Sequence, residues 1–401
     1  MTPTPPRSTG PLAGLKVLDM SRILAGPSAT QMLGDLGADV VKVEKPDAGD
    51  DTRGWGPPFL ADAAGGETRE SSYYLSCNRN KRSIALDFTT AEGKALLLRL
   101  IGQADVLIEN YKTGTLARYG LGYEELRAAH PRLVYLSLTG FGQTGPYANR
   151  AGYDFLVQGM GGIMSLTGEP AGPPMKTGVA IADLMAGMYA AVSILAALRH
   201  RDATGQGQHI DLSLLDAQVA WLSNAGQYFL TSGRAPARYG NGHPTIVPYQ
   251  TFQAADGWII LAVGNDEQFR KFCAFAGHPE IAKDDRFAAN RNRVRNRDTL
   301  VPLLAAIIRE RPAADWLTGL EGVGVPCGPI NDIAAVFADP QVLARGMRIT
   351  MDHAAAGPVD LIGSPMKFSA TPVTYRHAPP MLGQHTAEVL ADWLGQDTSN
   401  P

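Results

Sequence analysis

A single carboxylate interrupts one of the most apolar stretches of the sequence. Residues 179–202 read VAIADLMAGMYAAVSILAALRHRD, and Asp183 is followed by apolar or small residues until Arg199. Burying an ionised carboxylate is costly unless other groups compensate its charge. Asp183 could serve only as the N-cap of the helix that follows, because Asp is a preferred capping residue. A carboxylate kept ionised by the helix dipole would also suit a nucleophile.

Two glycine-containing loops could hold a substrate. The first, SRILAGPSATQMLGDLGA, follows an apolar strand pattern, and the helix start after Ala25 and Gly26 could bind a phosphate or a carbonyl oxygen. A plain strand-to-helix turn explains these residues equally well, and the GxGxxG pattern of dinucleotide-binding folds is missing. The second loop, RYGNGHPTIVPYQ at 238–250, could close over a substrate or could link two domains.

The remaining candidates are isolated cations and one aromatic residue. Arg79, Lys81 and Arg82 cluster before a predicted strand, which is typical of a solvated edge but could also meet phosphates. His243 could contact an anion, and Tyr153 could be a packing residue. The sequence has no HExxH motif, P-loop or Ser-His-Asp order, and its three cysteines lack metal-binding spacing. We therefore expect no metal site.

Composition excludes several classes of function. The chain has 401 residues, 45% of them hydrophobic and 19% charged, with a net charge of −3. No basic stripe suggests nucleic acid, and no polybasic run suggests a membrane surface. The odd number of cysteines fits a reducing cytoplasm rather than a disulfide framework. The start MTPTPPRSTGP lacks an apolar core, so we expect a disordered lead-in rather than a secretory signal, and no uninterrupted apolar run reaches membrane-spanning length.

The elements that must position Asp183 alternate between strand and helix patterns. We predict strands over 15–20, 39–45, 82–88, 105–110 and 133–142, and helices over 27–37, 90–104 and 122–131 and after Asp183. Strands separated by helices indicate a parallel, doubly wound sheet. The strands are almost continuously apolar, which is typical of a sheet buried on both faces.

A second, smaller unit is predicted to follow. Composition shifts to Gly and Pro near 232–248, a strand pattern covers 257–264, and a helical pattern follows it. The turn-rich segment 323–330 ends this unit. The final stretch, 340–401, contains a strand pattern at MRITM and a helical pattern at TAEVLADWLG.

Several segments, taken in order, resemble those of class III, or CaiB-BaiF type, CoA-transferases. The resemblance runs from about Pro11 to about Trp393, and it is carried by LKVLDMSRILAGPSATQMLGDLGADVVKVEKP, GDDTRGWGPPF, NRNKRSIALD, DVLIENYKTGTLARYGLGYEEL, LTGFGQTGPYANRAGYDFLVQGMGGIMSLTG, GVAIADLMAGMYA, GVPCGPIND and LGQHT. It implies a Rossmann-like large domain, a smaller α/β domain and an interlocked homodimer. The implied boundaries are 11–205 for the first part of the large domain, 206–234 for a connector, 235–325 for the small domain, and 326–401 for the return connector and the rest of the large domain.

The resemblance also implies a site and a mechanism. Asp183 falls on the family nucleophile, which attacks an acyl-CoA thioester and passes through aspartyl anhydride and aspartyl-CoA thioester intermediates. Backbone N–H groups near Leu24 and Ala25 and in the loop 240–242 would stabilise the oxyanions. CoA is a substrate, with no tightly bound cofactor, and its implied contacts are Leu24, Ala25, Lys45, Leu86, Asn110, Tyr111, Arg118 and Tyr153.

Some positions depart from relatives within the family. Leu24 replaces a glutamine of formyl-CoA transferases, which argues against oxalate and formyl-CoA chemistry, and Lys45 replaces an arginine. The acyl-CoA racemases use a histidine where this chain has Tyr153, and a phenol with a pKa of about 10 is a poor base at neutral pH. Transfer is thus favoured over 2-methylacyl-CoA racemisation. A non-catalytic CoA-binding protein, the third alternative, would need Asp183 to be only a cap.

Within the family the likeness is greatest to the succinyl-CoA-dependent dicarboxylate transferases, such as the succinate–hydroxymethylglutarate (glutarate) type. GDDTRGWGPPF, TGFGQTGP, RAGYD and HPTIVPYQTFQAADGWIILAVGNDEQF carry that likeness. We expect succinyl-CoA as donor and a C4–C6 dicarboxylate as acceptor. The distal carboxylate needs a cationic partner, for which Arg53 is preferred, then His243, then Arg22. Gly240, Asn241 and Gly242 are the other expected substrate contacts.

Overall fold

The computed structural model describes residues 9–396, which form two compact units. The first comprises the residues up to Ile163, Lys176–Ser232 and the residues from Pro340 onward. The second comprises Met164–Met175 and Gly233–Asp339.

The first unit begins with an alternation of strands and helices. The elements of residues 9–139 are, in order, β1 (Lys16–Asp19), α1 (Ala25–Asp35), β2 (Asp39–Glu44), β3 (Phe59–Ala61), β4 (Glu67–Ser71), α2 (Ser72–Ser76), β5 (Lys81–Ala85), α3 (Ala91–Ile101), β6 (Val106–Glu109), α4 (Tyr123–Leu126) and β7 (Val134–Thr139). Side-chain caps set several of the helix starts, as where the Thr90 hydroxyl accepts the Gly93 N–H before α3.

A long helix and a further strand follow. The elements of the first unit are α5 (Asp154–Met160), α7 (Ile181–Thr204), β8 (His209–Ser213), α8 (Leu214–Ala220) and α9 (Ser223–Ser232), whereas the short helix α6 (Ile163–Leu166) lies mostly in the second unit. The six long strands form one sheet in the order β5-β2-β1-β6-β7-β8, and every neighbouring pair is parallel. β8 lies within the segment 206–234 that the sequence predicts as a connector, and it is an edge strand of this sheet.

Both faces of the sheet are covered. On one face of the sheet, Val17, Val106 and Leu136 pack with α1 and α7. On the other face, Leu18 and Leu107 pack with α3 and the C-terminal segment. This confirms the predicted parallel α/β sheet, whose apolar strands are buried on both sides.

The second unit has its own core. Its elements are β9 (Tyr249–Gln253), β10 (Trp258–Ala262), α10 (Asp266–Phe275), α11 (Asn290–Arg295), α12 (Arg297–Ile308), α13 (Ala313–Gly322), β11 (Cys327–Pro329) and α14 (Ile333–Ala338). The strands form an antiparallel sheet in the order β11-β10-β9. Phe252, Ile259, Phe272 and Trp316 form the centre of its core.

The chain then returns to the first unit. The last elements are α15 (Pro340–Ala344), the hairpin of β12 (Arg348–His353) and β13 (Gly357–Ile362), and α16 (Thr386–Leu394). Val389 and Trp393 of α16 are buried against the sheet. The strand and helix predicted in this stretch are therefore present.

The cluster of Arg79, Lys81 and Arg82 corrects one expectation. All three side chains are buried, and they pair with Asp35, Asp19 and Asp39 respectively. These acidic partners are far from the cations in sequence and come from three elements, α1, β1 and β2, of which β2 pairs directly with β5. The cluster is a buried ion-pair network and not a solvated edge.

Helix α7 is long and apolar enough, by length and composition alone, to cross a membrane. Within the first unit, however, it packs against α1, α5, α8 and strands β7 and β8. Ala186, Ala190 and Ile194 are fully buried there. These contacts are those of the core helix of a folded domain.

Candidate active site

A cavity of about 200 Å³ lies where the carboxyl ends of β1, β6 and β7 meet. The strand order runs outward in one direction from β1 to β5 and in the other from β6 to β8, so the sheet reverses its order between β1 and β6. Open parallel sheets bind their ligands at this type of switch point. The lining residues are Arg22, Ile23, Leu24, Ala25, Asn110, Tyr111, Lys112, Thr113, Leu138, Thr139, Gly140, Arg150, Ala151, Gly152, Tyr153, Asp154, Asp183 and Leu214.

Asp183 reaches this cavity from the first turn of α7. The helix begins at Ile181 after Ala180, so Asp183 is its third residue and not its N-cap, which corrects one of the two interpretations of this residue. Asp154 does the capping from a distance, since its Oδ1 accepts the N–H of Ala182 at 2.8 Å and that of Asp183 at 3.4 Å. The side chain of Asp183 is therefore free for another role.

The Asp183 carboxylate is 9% exposed and accepts no hydrogen bond from any residue between 9 and 396. Burial, followed by the charge of Asp154, raises its pKa to about 7. A carboxylate without hydrogen-bond donors keeps its lone pairs available, and half of the molecules carry it ionised near neutral pH. This combination suits a nucleophile that attacks a carbonyl carbon.

A small polar network holds Asp154 in place. Its Oδ2 accepts the side-chain N–H of Gln158 at 2.7 Å, and the Gln158 carbonyl oxygen accepts the Thr177 N–H at 3.0 Å. Gln158 is fully buried. The network ties the start of α5 to the segment that leads into α7.

Two close backbone approaches bring the walls of the cavity together. A Cβ on Gly187 would lie 2.2 Å from Ser28 Oγ and 2.8 Å from the Ala25 carbonyl oxygen, so only glycine lets α7 pack this closely on α1. A Cβ on Gly140 would lie 2.5 Å from the Cα of Gly152, which anchors the segment 150–154 to the end of β7.

Ile23 has a left-handed backbone in the loop between β1 and α1. Its φ is 73°, a conformation that costs a β-branched residue about 1–3 kcal/mol. The Ile23 N–H donates to both carboxylate oxygens of Asp50, at 3.2 and 3.3 Å. The buried Lys42 ammonium binds Asp50 at 2.8 Å and the Ser21 carbonyl oxygen at 2.9 Å.

Asn110 holds the same loop from the other side. Its side chain accepts the Arg22 N–H at 2.9 Å and donates to the Arg22 carbonyl oxygen at 2.7 Å. The loop leads directly into α1, whose N-terminus has no side-chain cap. Ala25, the first residue of α1, and Leu24 before it line the cavity that contains Asp183, where backbone N–H groups can stabilise a developing oxyanion.

Tyr73 is a residue that sequence reasoning missed. Burial, followed by the negative charge of Asp183, raises the pKa of Tyr73 to about 12, so the phenol keeps its proton near the Asp183 carboxylate. Trp55 contacts the Tyr73 ring edge-to-face, with centroids 5.1 Å apart. Trp55 belongs to one motif that carries the family resemblance and Tyr73 lies near another, but nothing in the sequence places Tyr73 near Asp183.

The cavity brings together many of the predicted site residues. Asp183, Arg22, Leu24, Ala25, Asn110, Tyr111 and Tyr153 all line it. Lys45 and Arg118 are exposed, and Leu86 is buried; none of these three is in its lining. Asp154 was missed, although it stands next to Tyr153 in the RAGYD segment.

Arg53 is not available as the partner of a substrate carboxylate, contrary to its ranking in the sequence analysis. All five of its N–H donors are engaged: they bind both oxygens of Glu44, both oxygens of Glu70 and the Pro380 carbonyl. Its side chain is buried. Arg53 is a structural cation because β2 and β4 bring two carboxylates to it.

The other expected substrate contacts lie in the second unit. Gly240, Asn241 and Gly242 line a cavity of about 920 Å³ there, together with Arg238, Trp258 and Arg297. His243 is not in that lining; its imidazole accepts the Thr245 N–H at 3.2 Å. The role of this loop remains a prediction.

Comparison with known proteins supports the chemistry of the cavity. A family model described as CoA-transferase family III matches residues 12–386. A succinate–glutarate CoA-transferase of Agrobacterium fabrum is 51% identical over 98% of each chain. A succinyl-CoA:glutarate CoA-transferase of Homo sapiens is 43% identical over 96% of this chain and 87% of its own. The crystal structure of a CaiB/BaiF family protein from Brucella suis has 51% identity and a TM-score of 0.87, covering 96% of this chain and 99% of that one.

Proposed function

Because the chain belongs to CoA-transferase family III, we propose that it transfers CoA from succinyl-CoA to a C4–C6 dicarboxylate, with glutarate as the first acceptor to test. The observation that carries this proposal is the Asp183 carboxylate in the switch-point cavity, which is buried and accepts no hydrogen bond from the described residues. The names of the relatives support the choice of donor and acceptor.

Asp183 acts as a covalent nucleophile in this mechanism. Its carboxylate attacks the thioester carbonyl of succinyl-CoA, which gives a mixed anhydride and CoA thiolate. The thiolate attacks the Asp183 acyl carbon and releases succinate, leaving an aspartyl-CoA thioester. The acceptor carboxylate then attacks this thioester and expels the thiolate, and the thiolate attacks the acceptor's acyl carbon in the new anhydride. The products are the new acyl-CoA and the free Asp183 carboxylate.

The surroundings of Asp183 assist these steps. Backbone N–H groups near Leu24 and Ala25 can stabilise the oxyanion that forms at each acyl carbon. Leu24 and Ala25 lie at this position, and Leu24 presents an apolar wall suited to the methylene chain of the acid. Asn110, Tyr111 and Tyr153 are proposed to contact CoA near the cavity, and Lys45, Leu86 and Arg118 to contact it farther away. The glycine loop 240–242 and His243 remain proposed substrate contacts.

We also propose that the enzyme is an interlocked homodimer in the cytoplasm. Helix α7 exposes Met188, Val192 and Leu195 at helical spacing, and Val192 is 63% exposed. Helix α9 exposes Tyr228, Phe229 and Leu230. Apolar surface of this extent is typical of an obligate interface, which a second copy of the chain would cover. Light scattering should give a dimer at every usable dilution, and a folded, active monomer would contradict this.

The decisive experiment compares the wild type with Asp183→Asn. The wild type should exchange CoA between succinyl-CoA and glutarate, and incubation with acyl-CoA should leave a labile adduct on the peptide that contains Asp183. Asp183→Asn should fold and lose transfer, provided deamidation is excluded by mass spectrometry. Near-normal turnover in the Asn variant would refute the covalent mechanism.

A panel of substrates tests the alternatives. Exchange of the α-proton of a 2-methylacyl-CoA in D2O, without CoA transfer, would replace transfer by racemisation. Binding of CoA without either reaction would indicate a non-catalytic CoA-binding protein. Oxalate or formyl-CoA as good substrates would contradict the interpretation of Leu24.

A further inference from the structure

Arg150 is one of two cations in the lining of the Asp183 cavity that form no ion pair among the described residues. Its guanidinium lies over the rings of Tyr147 and Phe141, 4.7 and 5.4 Å from their centroids. No carboxylate in residues 9–396 forms an ion pair with it, and its side chain is exposed. Arg22, which lines the same cavity, is by contrast bound to Asp51 at 2.7 Å.

The position of Arg150 is tied to that of Asp183 by the backbone. The N–H of Arg150 donates to the Tyr147 carbonyl in a tight turn, at 2.9 Å. Two residues later Gly152 packs directly on Gly140 at the end of β7. Asp154, a further two residues on, binds the first turn of α7. One short segment therefore carries Arg150 and also fixes the start of the helix that holds Asp183.

The negative charges in the cavity favour a cation that binds the distal carboxylate of a dicarboxylate. Asp154 and Asp183 both line it, so a dicarboxylate would add a distal negative charge to a site that already contains two carboxyl groups. Arginine forms bidentate hydrogen bonds with carboxylates, and stacking on aromatic rings keeps its planar group oriented without using its N–H donors. Lys112 is the other cation of the lining without an ion pair among the described residues, but it follows Asn110 and Tyr111, the proposed CoA contacts.

Resting on the proposed function, we propose that Arg150 binds the distal carboxylate of the acyl donor and of the acceptor, and thereby selects dicarboxylates over monocarboxylates. The reacting carboxyl group then faces Asp183 while the methylene chain spans the distance between them. A phosphate of CoA is the other anion that could bind a guanidinium at this place, and the experiment separates the two.

The test uses the full-length enzyme and the variants Arg150→Gln and Arg150→Lys. Arg127→Gln is the matched control, because Arg127 pairs with Glu124 at the surface and is not in the lining of this cavity. Steady-state kinetics are measured with glutarate and with pentanoate, which has the same chain length, and the Kd of free CoA is measured by calorimetry. Thermal melts establish that each variant is folded.

We expect Arg150→Gln to raise the KM for glutarate on the order of 30–100-fold, the loss typical of a charge-assisted carboxylate contact. Its kcat/KM for pentanoate, which in this double-displacement mechanism depends only on the acceptor half-reaction, and its Kd for CoA should stay within about twofold of the wild type. Arg150→Lys should retain part of the preference for glutarate. Equal losses for glutarate and pentanoate together with a weaker Kd for CoA would show that Arg150 binds a phosphate instead.

Unchanged kinetics in both Arg150 variants would also overturn the inference, as would a dicarboxylate-specific loss in Arg22→Gln that Arg150→Gln lacks. All of these results presuppose that the wild type exchanges CoA between succinyl-CoA and glutarate. If the wild type itself shows no such exchange, the proposed function fails, which is a result distinct from failure at Arg150.

Discussion

Asp154 binds the backbone that carries Asp183: its Oδ1 lies 2.8 Å from the Ala182 nitrogen and 3.4 Å from that of Asp183. The same carboxylate that caps α7 also raises the pKa of Asp183 by charge repulsion. Asp154 thus fixes the start of the helix that carries Asp183, and its charge adds to the effect of burial, the larger cause of the raised pKa of Asp183.

Asp154→Asn should move the pH dependence of transfer to lower pH. In the wild type, kcat/KM for succinyl-CoA should rise as the pH increases through about 7, because the reacting form of Asp183 is the ionised one. Removing the neighbouring negative charge makes that ionisation easier, so the midpoint should fall by roughly one pH unit. The readout is kcat/KM between pH 5 and 9, and an unchanged midpoint would show that burial alone sets the pKa.

Asn at position 154 keeps the acceptor for the Ala182 N–H but turns an NH2 group toward Gln158. Asp154→Ala removes the acceptor as well and should cost a further ~1 kcal/mol of folding free energy, the usual value of a lost cap. Comparing the two variants in denaturant separates capping from charge.

Asp183→Asn should stabilise the enzyme while abolishing its activity. The pKa of Asp183 is higher in the folded than in the unfolded chain. The free energy of unfolding therefore falls as the pH rises between the two pKa values, here from about 4 to about 7. Ionisation of the buried Asp183 carboxyl lowers the free energy of unfolding by up to about 4 kcal/mol. The Tm of the variant should therefore exceed that of the wild type at pH 8, with little difference at pH 4. A gain of the same size at both pH values would contradict the assigned cause.

Asp50 should affect catalysis through Ile23. Asp50→Ala removes the acceptor of the Ile23 N–H and leaves the buried Lys42 without its ion-pair partner. We therefore expect the free energy of unfolding to fall by about 3–5 kcal/mol and kcat to be lower in the folded fraction. Ile23→Gly relieves the left-handed strain and should partly restore stability in this background. Asp50→Asn keeps an acceptor and should retain more of kcat than Asp50→Ala. Equal kcat in the two Asp50 variants would argue against a role in placing the loop.

Arg53→Gln should damage the fold and leave substrate choice alone. The substitution leaves Glu44 and Glu70 buried without their cation, which costs about 3–5 kcal/mol. The ratio of kcat/KM for glutarate to that for pentanoate should stay at the wild-type value in the folded fraction. A selective loss for glutarate would restore Arg53 as a substrate contact.

The sequence alone was sufficient to predict the parallel sheet and to single out Asp183 as the proposed nucleophile. The alternation of apolar strands and helices depends on local sequence patterns, which are visible along the chain. Five strands lie where those patterns predicted them: β1, β2, β5, β6 and β7. Asp183 was proposed as the nucleophile through the ordered motifs, because its local sequence by itself favours a helix cap.

Only the tertiary structure decided which charges are structural and which face the cavity. Arg53 and Arg150 are both arginines in polar segments, yet Arg53 is enclosed by Glu44 and Glu70 whereas Arg150 carries no carboxylate partner among the described residues. The difference arises because strand pairing and loop closure bring together residues that are far apart along the chain, and the free energy of a charge depends on those neighbours. For the same reason the position of Asp154 against the first turn of α7 could not be inferred from its place beside Tyr153.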